Sequence, residues 1–184
     1  MNLWHEIPHG YKEGGAINVI IEIPDGSNNK YEIDKKTGLI SLDRANYSSA
    51  PYPFDYGFVP QTLWEDNDPL DVVVLTTFPL HPGILVKVRP VAVIEMIDDG
   101  ESDYKIIGVP EKDRRWEDTQ ELEDINGHKV KEIIHFFETY KHLRSDGEKS
   151  IVKIDGKKGK KEAHEAIVKS IKLYNEKYGE PKSE

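Results

Sequence analysis

Cysteine is absent from the 184 residues of the chain. Disulfides, thiolate zinc sites, iron–sulfur centres and cysteine nucleophiles are therefore excluded, and the composition suits a reducing compartment such as the cytoplasm. No segment approaches the roughly 18 consecutive apolar residues of a membrane-spanning helix, and the N-terminus lacks the apolar stretch of a signal peptide. We therefore predict a soluble, untargeted, cytoplasmic protein.

Positive charge is in short supply as well. Lysine and arginine total 25 against 34 aspartates and glutamates, which gives a formal charge of -9. This balance disfavours nucleic acid or an anionic membrane as a partner and favours cations. The glycine patterns of nucleotide-binding loops and of serine hydrolases are missing, and GKKGKK at 156–161 has the residues of a phosphate-binding loop without its spacing, so we predict a solvated turn before a helix.

Short runs rich in β-branched residues dominate the first 110 positions and are separated by turn-forming Gly, Asn and Asp residues. Their spacing predicts a β-barrel or sandwich rather than alternating βαβ units. Pro90, inside the longest run, predicts a sheet edge or a bulge. The predicted strands are 19–24, 30–34, 38–43, 71–78, 84–98 and 104–110.

The apolar period changes to three and four in the last third of the chain, which predicts two amphipathic helices at 128–143 and 160–178. SIVKID at 150–155 predicts one more strand between them, and the tail GEPKSE is expected to fray. The fold class is thus α+β, in a single domain over 1–184. The predicted core positions are Val130, Ile133, Ile134, Phe137 and Tyr140 in the first helix, and Ala163, Ala166, Ile167, Ile171 and Tyr174 in the second.

Three aspartates, Asp66, Asp68 and Asp71, are crowded into EDNDPLDVVVLTT immediately before an apolar run. A single aspartate there would only cap backbone N–H groups, but three together repel one another by about 1 kcal/mol per pair at 4 Å in water and by more in a dry cleft. The calcium-loop pattern fails because Leu70 and Asp71 occupy its later positions. Hard oxygen ligands that converge at a bend predict a magnesium or manganese site.

A second acidic loop, IDDGESDYK at 97–105, lies between two predicted strands. Its carboxylates are compatible with a solvated hairpin. If both acidic loops lie at the same end of the sheet, however, Asp98 and Asp103 would enlarge one ion site into a cluster, and clustered ions bind phosphate oxygens and activate water.

A resemblance joins these features. D-N-D-P-L-D at 66–71 matches the D-x-D-P-x-D signature of the soluble inorganic pyrophosphatases of family I. Further blocks resemble that family in the family's order: IEIPDGSNNKYEID, LDRANYSSAPYPFDYGFVPQT, RPVAVIEMID, DYKIIGVP and HFFETYK. The resemblance implies a five-stranded OB-like β-barrel with two C-terminal helices, a homohexamer, and an inorganic diphosphatase that hydrolyses pyrophosphate with several Mg²⁺ ions, for which Mn²⁺ can substitute.

The resemblance also implies a role for each matching position. Metal ligands are Asp66, Asp71, Asp98 and Asp103, with Glu22 in the outer shell. Asp68 is the general base for the attacking water, and Arg44 and Tyr56 are the other catalytic residues. The phosphoryl groups are held by Lys30, Arg44, Tyr56, Lys105, Tyr140 and Lys141, and Glu32 and Tyr52 are supporting polar positions. The chain departs from the family at Asp155, Gly156 and Lys157, where many members have E-G-W, and residues 111–127 align poorly.

Two other functions fit parts of the sequence. An OB-like binding module could use Tyr52, Phe54, Tyr56 and Phe58 as a stacking platform, although nucleic-acid surfaces of this kind also need a basic groove. A phosphatase for nucleotides or sugar phosphates could use the same metals, but no motif for such a leaving group is present. His5 and His9 are spaced as a zinc pair, but Pro8 between them disfavours the helix that such a pair needs.

Overall fold

The computed structural model describes residues 1–144 and 151–180, so the tail predicted to fray lies outside the described residues from position 181 onward. No helix in these ranges is both long and apolar enough to cross a membrane. The strands are β1 (Ile17–Ile23), β2 (Asn29–Ile33), β3 (Ile40–Ala45), β4 (Asp55–Phe58), β5 (Asp71–Val74), β6 (Leu85–Asp98), β7 (Glu101–Ser102), β8 (Lys105–Pro110) and β9 (Val152–Lys158). The helices are α1 (Gly127–Thr139) and α2 (Lys160–Tyr178).

Five strands form a ring of pairings in the order β1, β4, β5, β8, β6 and back to β1. All of these pairs are antiparallel except β5 with β8, which is parallel. Two further strands, β7 and β9, extend the sheet by pairing with β6, while β2 and β3 form a separate hairpin. The predicted α+β class with two C-terminal helices is confirmed, but the seven-stranded sheet is not strictly a barrel.

Strand β5 illustrates why these residues form a central strand. Val73 packs into the apolar cluster that contains the buried face of α1, whereas Val72 and Val74 pack into the cluster that contains the buried face of α2. Successive side chains of a strand point to opposite faces, so both faces of β5 must be apolar when each is covered by a helix. A continuous run of β-branched residues meets this requirement.

The observed strands test the local predictions made for Pro90 and for the turn at 156–161, and they include one strand that was not predicted. The register of β6 against β8 shifts between Pro90 and Ala92, which confirms the predicted bulge. Strand β4 was not predicted, because DYGF is short and contains a glycine. Gly57 is needed there, since a Cβ atom would lie 2.0 Å from the carbonyl oxygen of Ile20 on β1. The turn predicted at 156–161 is wrong in its first half, because β9 continues to Lys158.

Both helices bury the predicted faces, with small differences. The side chain of Asn126 accepts a hydrogen bond from the backbone N–H of His128 and caps the start of α1. The helix ends at Thr139, four residues before the predicted end, so Tyr140 and Lys141 follow the helix rather than lie within it. Phe136 and Ser170 are buried although they were not predicted, while Ile134, Tyr140 and Ile171 are only partly buried.

Candidate active site

A single cavity of about 450 Å³ brings together all of the predicted site residues except Tyr52. Tyr52 is buried behind the cavity wall, where its ring packs 4.7 Å from that of Phe136 and 6.1 Å from that of Tyr56. The predicted residues that line the cavity are Glu22, Lys30, Glu32, Arg44, Tyr56, Asp66, Asp68, Asp71, Asp98, Asp103, Lys105, Tyr140 and Lys141.

The two acidic loops meet because of the order of the strands. Asp71 begins β5 and lies opposite Lys105, the first residue of the parallel strand β8. Asp98 ends β6, and the backbone N–H of Asp103 donates to the carbonyl oxygen of Met96 at 2.9 Å. Both loops therefore open at the same end of the sheet, which is the arrangement that a cluster of ions requires.

A residue with a left-handed backbone conformation, Asn67, shapes the first acidic loop. Asn67 has a φ of +67°, a conformation that asparagine tolerates better than most residues. The N–H of Trp64 donates to the carbonyl oxygen of Asp68 at 2.7 Å, and the N–H of Asp68 donates to the carboxylate of Asp66 at 3.0 Å. These bonds turn Asp66 and Asp68 toward the same cavity.

Asp71 lies at the centre of a dense hydrogen-bonded group. Its Oδ2 accepts from the hydroxyl of Tyr56 at 2.6 Å and from Lys105 Nζ at 2.5 Å, and the same ammonium group contacts Asp103. Burial, and then repulsion by Asp103, raises the pKa of Asp71 although Lys105 opposes the shift. The pKa of Lys105 is also raised, because its two carboxylate partners outweigh the burial that alone would lower it.

The other acids of the cavity are likewise held near charges of the same sign. Burial raises the pKa of Asp66 to about 7, and repulsion by Asp103 and Asp71 adds to the shift. Glu22 is 5% exposed on β1, where it accepts a hydrogen bond from the N–H of Ile33 at 2.7 Å. Burial, followed by repulsion from Asp71, raises the pKa of Glu22. Such carboxylates gain from a nearby cation.

The hairpin of β2 and β3 supplies positive charge. Lys30 lies directly opposite Arg44 in the strand register. Asp43 contacts both cations, at 3.1 Å from Lys30 Nζ and against the guanidinium of Arg44, and Glu32 accepts from Lys30 at 2.8 Å. Burial alone would lower the pKa of Lys30, but Glu32 and Asp43 outweigh it and the pKa is raised. Lys30 therefore remains charged at the cavity wall.

The end of α1 forms the wall beside the second acidic loop. Tyr140 stacks on Phe136 at the end of the helix, and burial, then the charge of Asp98, raises the pKa of its hydroxyl. Lys141 forms an ion pair with Asp98 through Oδ2. The second carboxylate oxygen of Asp98, Oδ1, is buried and has no hydrogen-bond partner within residues 1–144 and 151–180.

The donor set of the cavity fits hard divalent cations. Nine carboxylates line it against six lysines and arginines, and neither histidine nor cysteine is among the lining residues. Within the described ranges no three acidic side chains already form a cage, and Lys105 lies between Asp71 and Asp103 as their counter-ion. The excess of negative charge and the unpaired Oδ1 of Asp98 are the features that an oxygen-seeking ion such as Mg²⁺ or Mn²⁺ would satisfy.

Some residues of the cavity were not predicted from the sequence. Lys35 lines the cavity and is ion-paired with Asp68, whereas Asp43 is not a lining residue but contacts the predicted site residues Lys30 and Arg44. A charged residue in a turn or on a hairpin strand is usually solvated, so neither had a distinctive pattern. The remaining unpredicted residues of the lining are Tyr31, Ile33, Tyr47, Pro69, Asp99, Glu101 and Arg144.

The aromatic platform of a binding module is not available. Tyr52, Phe54, Tyr56 and Phe58 are each at most 8% exposed and pack in the core. His5 and His9 do not form a zinc pair either: the Nδ1 of His5 lies 2.7 Å from the hydroxyl of Tyr174, and the Nδ1 of His9 accepts from the N–H of Tyr11. Base stacking on these aromatic rings is thus excluded, and Nδ1 of each histidine is already engaged within the fold.

Comparisons with known proteins agree over nearly the whole chain. A family model described as inorganic pyrophosphatase matches residues 19–175. An inorganic pyrophosphatase from Nostoc sp. is 45% identical over 160 residues, which cover 87% of this chain and 92% of that protein. One from Geobacillus stearothermophilus is 44% identical over 164 residues, covering 89% and 97% respectively. The crystal structure of inorganic pyrophosphatase from Thermus thermophilus matches with a TM-score of 0.90 and 43% identity, covering 95% of this chain and 99% of that one.

Proposed function

The chain belongs to the inorganic pyrophosphatase family, and we propose that it hydrolyses inorganic pyrophosphate to two phosphate ions by direct attack of water. The observation that carries this proposal is the meeting of both acidic loops and the cationic hairpin in one cavity. Pyrophosphate is a small, multiply charged anion, so its hydrolysis needs cations on the substrate and a base for the water. The cavity offers both kinds of group.

Binding of the substrate is assigned to the cations and hydroxyls of the wall. Lys30, Arg44, Lys105 and Lys141 would contact phosphate oxygens, and the planar guanidinium of Arg44 can do so with two parallel hydrogen bonds. The phosphoryl-transfer transition state is loose, so most of the rate enhancement comes from alignment and from positive charge near the leaving phosphate.

Tyr56 and Tyr140 add neutral hydrogen-bond donors. Burial, followed by the charge of Asp71, raises the pKa of Tyr56, and burial followed by Asp98 does the same for Tyr140. Both hydroxyl groups therefore keep their protons across the physiological pH range. Tyr140 can donate to a phosphate oxygen directly, whereas Tyr56, whose single proton is now donated to Asp71, can do so once a bound cation satisfies that carboxylate.

Divalent cations, with Mg²⁺ as the natural ion and Mn²⁺ as a substitute, would be held by Asp66, Asp71, Asp98 and Asp103, with Glu22 behind them. When bound, such ions lower the pKa of a coordinated water and offset the charge of the phosphate oxygens. The ammonium of Lys105, now the counter-ion of Asp71 and Asp103, becomes available to the substrate when another cation takes up that role.

Asp68 is the proposed general base. Its side chain is half exposed, with an accessibility of 50%, and it lines the cavity beside Asp66. The water oxygen attacks one phosphorus atom as the bond from that phosphorus to the bridging oxygen breaks. The proton of the water passes to Asp68, and the bridging oxygen leaves with the second phosphate.

Phosphate release from pyrophosphate, ATP and a sugar phosphate, each with Mg²⁺ and with EDTA, tests the proposed activity. We expect rapid, Mg²⁺-dependent release from pyrophosphate and little from the other two. Comparable release from ATP or the sugar phosphate would favour a broader phosphatase, and no release from any substrate would contradict the proposal.

The assembly, the location and the single domain are also proposals. We propose a homohexamer of single-domain chains in the cytoplasm. The large apolar side chains of Phe78, Ile84 and Leu85 are exposed near one another in sequence, and contact between copies would cover such side chains. Sedimentation equilibrium should give six times the 21.1 kDa of one chain, and a monomer would contradict the proposal.

A further inference from the structure

Lys35 is a cavity residue to which the proposed reaction gives no role. It follows Asp34 in the turn between β2 and β3, and that turn is fixed because Asp34 accepts from the N–H groups of Lys36 and Thr37 at 3.1 and 2.7 Å. The ammonium group of Lys35 forms an ion pair with Asp68 and donates to the carbonyl oxygen of Asn67 at 3.3 Å. A rigid turn thus places one cation against two consecutive residues of the first acidic loop.

The orientation of the Asp68 carboxylate depends on its ion pair with Lys35. In the described part of the chain, no other side chain or backbone group forms a hydrogen bond or ion pair with its carboxylate. A half-exposed aspartate without fixed partners samples several rotamers. Lys35 is therefore the group that selects one orientation of the carboxylate.

A second lysine, Lys177, contacts Asn67, the residue that precedes Asp68. Lys177, in the last turn of α2, donates to the side-chain oxygen of Asn67 at 3.1 Å. Asn67 has the left-handed backbone on which the direction of the loop depends. Lysines from the β2–β3 turn and from α2 therefore converge on the two residues Asn67 and Asp68.

We propose that Lys35 is a positioning residue, which acts on the reaction by aiming the carboxylate of Asp68 at the attacking water; this inference rests on the proposed function. A general base must lie within hydrogen-bond distance of the proton that it accepts, and small errors of placement are costly. A cation beside a base weakens the base, so the contact is useful to the reaction through the orientation that it imposes.

Three variants test this role by steady-state kinetics with pyrophosphate and Mg²⁺. Lys35→Met should lower kcat by about five- to twentyfold while KM changes less than about twofold, because general-base catalysis contributes 10²–10⁴-fold and only the aim of the base is impaired. Lys35→Arg, which can form the same ion pair, should recover most of kcat. Lys36→Met is the matched control, since Lys36 is the exposed neighbour in the same turn, and it should behave as the wild type.

Two further measurements separate positioning from other roles. The melting temperature of Lys35→Met should lie within about 3 °C of the wild type, because exposed ion pairs contribute little to stability. A crystal structure of this variant should show the Asp68 carboxylate in a different or a mixed rotamer. The rotamer is observed without turnover, so it tests Lys35 even if the protein does not hydrolyse pyrophosphate.

Several results would overturn the inference. A raised KM with unchanged kcat would make Lys35 a substrate ligand, and an unchanged kcat would leave it without a role. An equal loss in Lys35→Arg, a large fall in melting temperature, or an unchanged Asp68 rotamer would each contradict positioning. Failure of the wild type to hydrolyse pyrophosphate would instead contradict the proposed function.

Discussion

At the scale of single residues, Asp71 connects the parts of the cavity. Tyr56 and Lys105 both donate to its carboxylate, and its charge adds to the burial that raises the pKa of Glu22. A carboxylate so placed can interact with a metal ion, with a substrate-binding lysine and with a hydroxyl donor. Its removal should therefore affect both metal binding and turnover.

Asp71→Asn keeps the size of the side chain and removes its charge. We expect the Mg²⁺ concentration for half-maximal activity to rise by roughly tenfold or more, with a parallel fall in turnover, since even outer-shell partners of metals contribute 10–100-fold. Activity is measured over a range of Mg²⁺ concentrations. Asp118→Asn, on an exposed residue outside the cavity, is the control. Wild-type turnover at low Mg²⁺ would remove Asp71 from the metal site.

The raised pKa of Asp66, about 7, predicts how metal binding depends on pH. Protons and Mg²⁺ compete for this carboxylate, so the affinity for Mg²⁺ should weaken as the pH falls from 8 through 6. The raised pKa values of Glu22 and Asp71 act in the same direction. Titration calorimetry at several pH values measures the effect, and Asp66→Asn should flatten it. An affinity that is constant from pH 8 to pH 6 would contradict this interpretation.

Single residues also mark where sequence reasoning reaches its limit. Asp66, Asp68 and Asp71 could be predicted as a site because mutual repulsion within six positions has to be offset. Asp43 and Lys35 could not, because their importance comes from partners that are distant in sequence or lie on a neighbouring strand. Lys35 and Asp68 are 33 positions apart in the sequence, and they come into contact only in the folded protein.

At the scale of elements, α1 holds part of the cavity wall in place. Its buried face packs on the sheet through Val130, Ile133, Phe136 and Phe137, and Tyr140 and Lys141 follow directly after its last turn. The positions of these two site residues therefore depend on how the helix packs, although none of its core residues contacts the cavity.

Ile133→Ala tests this dependence, since Ile133 is 0% exposed. The cavity left behind should lower the free energy of unfolding by about 2–5 kcal/mol. We also expect KM for pyrophosphate to rise, because Tyr140 and Lys141 lose their support. Denaturant unfolding and steady-state kinetics measure the two effects. Lys131→Ala, on the exposed face of the same helix, is the control, and equal effects of both variants would contradict the packing argument.

The elements differ in how well the sequence predicts them. α2 was predicted with the observed bounds, because its apolar stripe is long and Tyr178 is followed by Gly179. β4 was missed because it has only four residues and contains Gly57, and its strand conformation comes from pairing with β1 and β5. The end of β9 was misassigned because its lysines suit a turn, whereas pairing with β6 keeps them in a strand.

At the scale of the whole molecule, the cluster of acids in the cavity should destabilise the protein when no cation is bound. The folded-state pKa of Asp66 is about 7 and its ordinary value is 3.8, so the folded state holds this proton more tightly than the unfolded chain does. Stability in EDTA should therefore fall as the pH rises from about 4 to about 7 and then level off.

Mg²⁺ should reverse this loss. An ion that binds only the folded state stabilises it by about 2.7 kcal/mol at a concentration 100 times its dissociation constant, which raises the melting temperature by several degrees. Thermal unfolding at pH 8 with Mg²⁺ and with EDTA measures the shift. Asp71→Asn should reduce the shift, while Asp118→Asn should not. An equal melting temperature in Mg²⁺ and EDTA would contradict the account.

The central claim is that the two acidic loops bind hard divalent ions together. Anomalous diffraction from crystals soaked in Mn²⁺ tests it most directly, because each bound ion appears as a separate peak. The account predicts peaks in the cavity bounded by Asp66, Asp71 and Asp103, with a further peak near Asp98. A cavity without an anomalous peak at millimolar Mn²⁺ would contradict it.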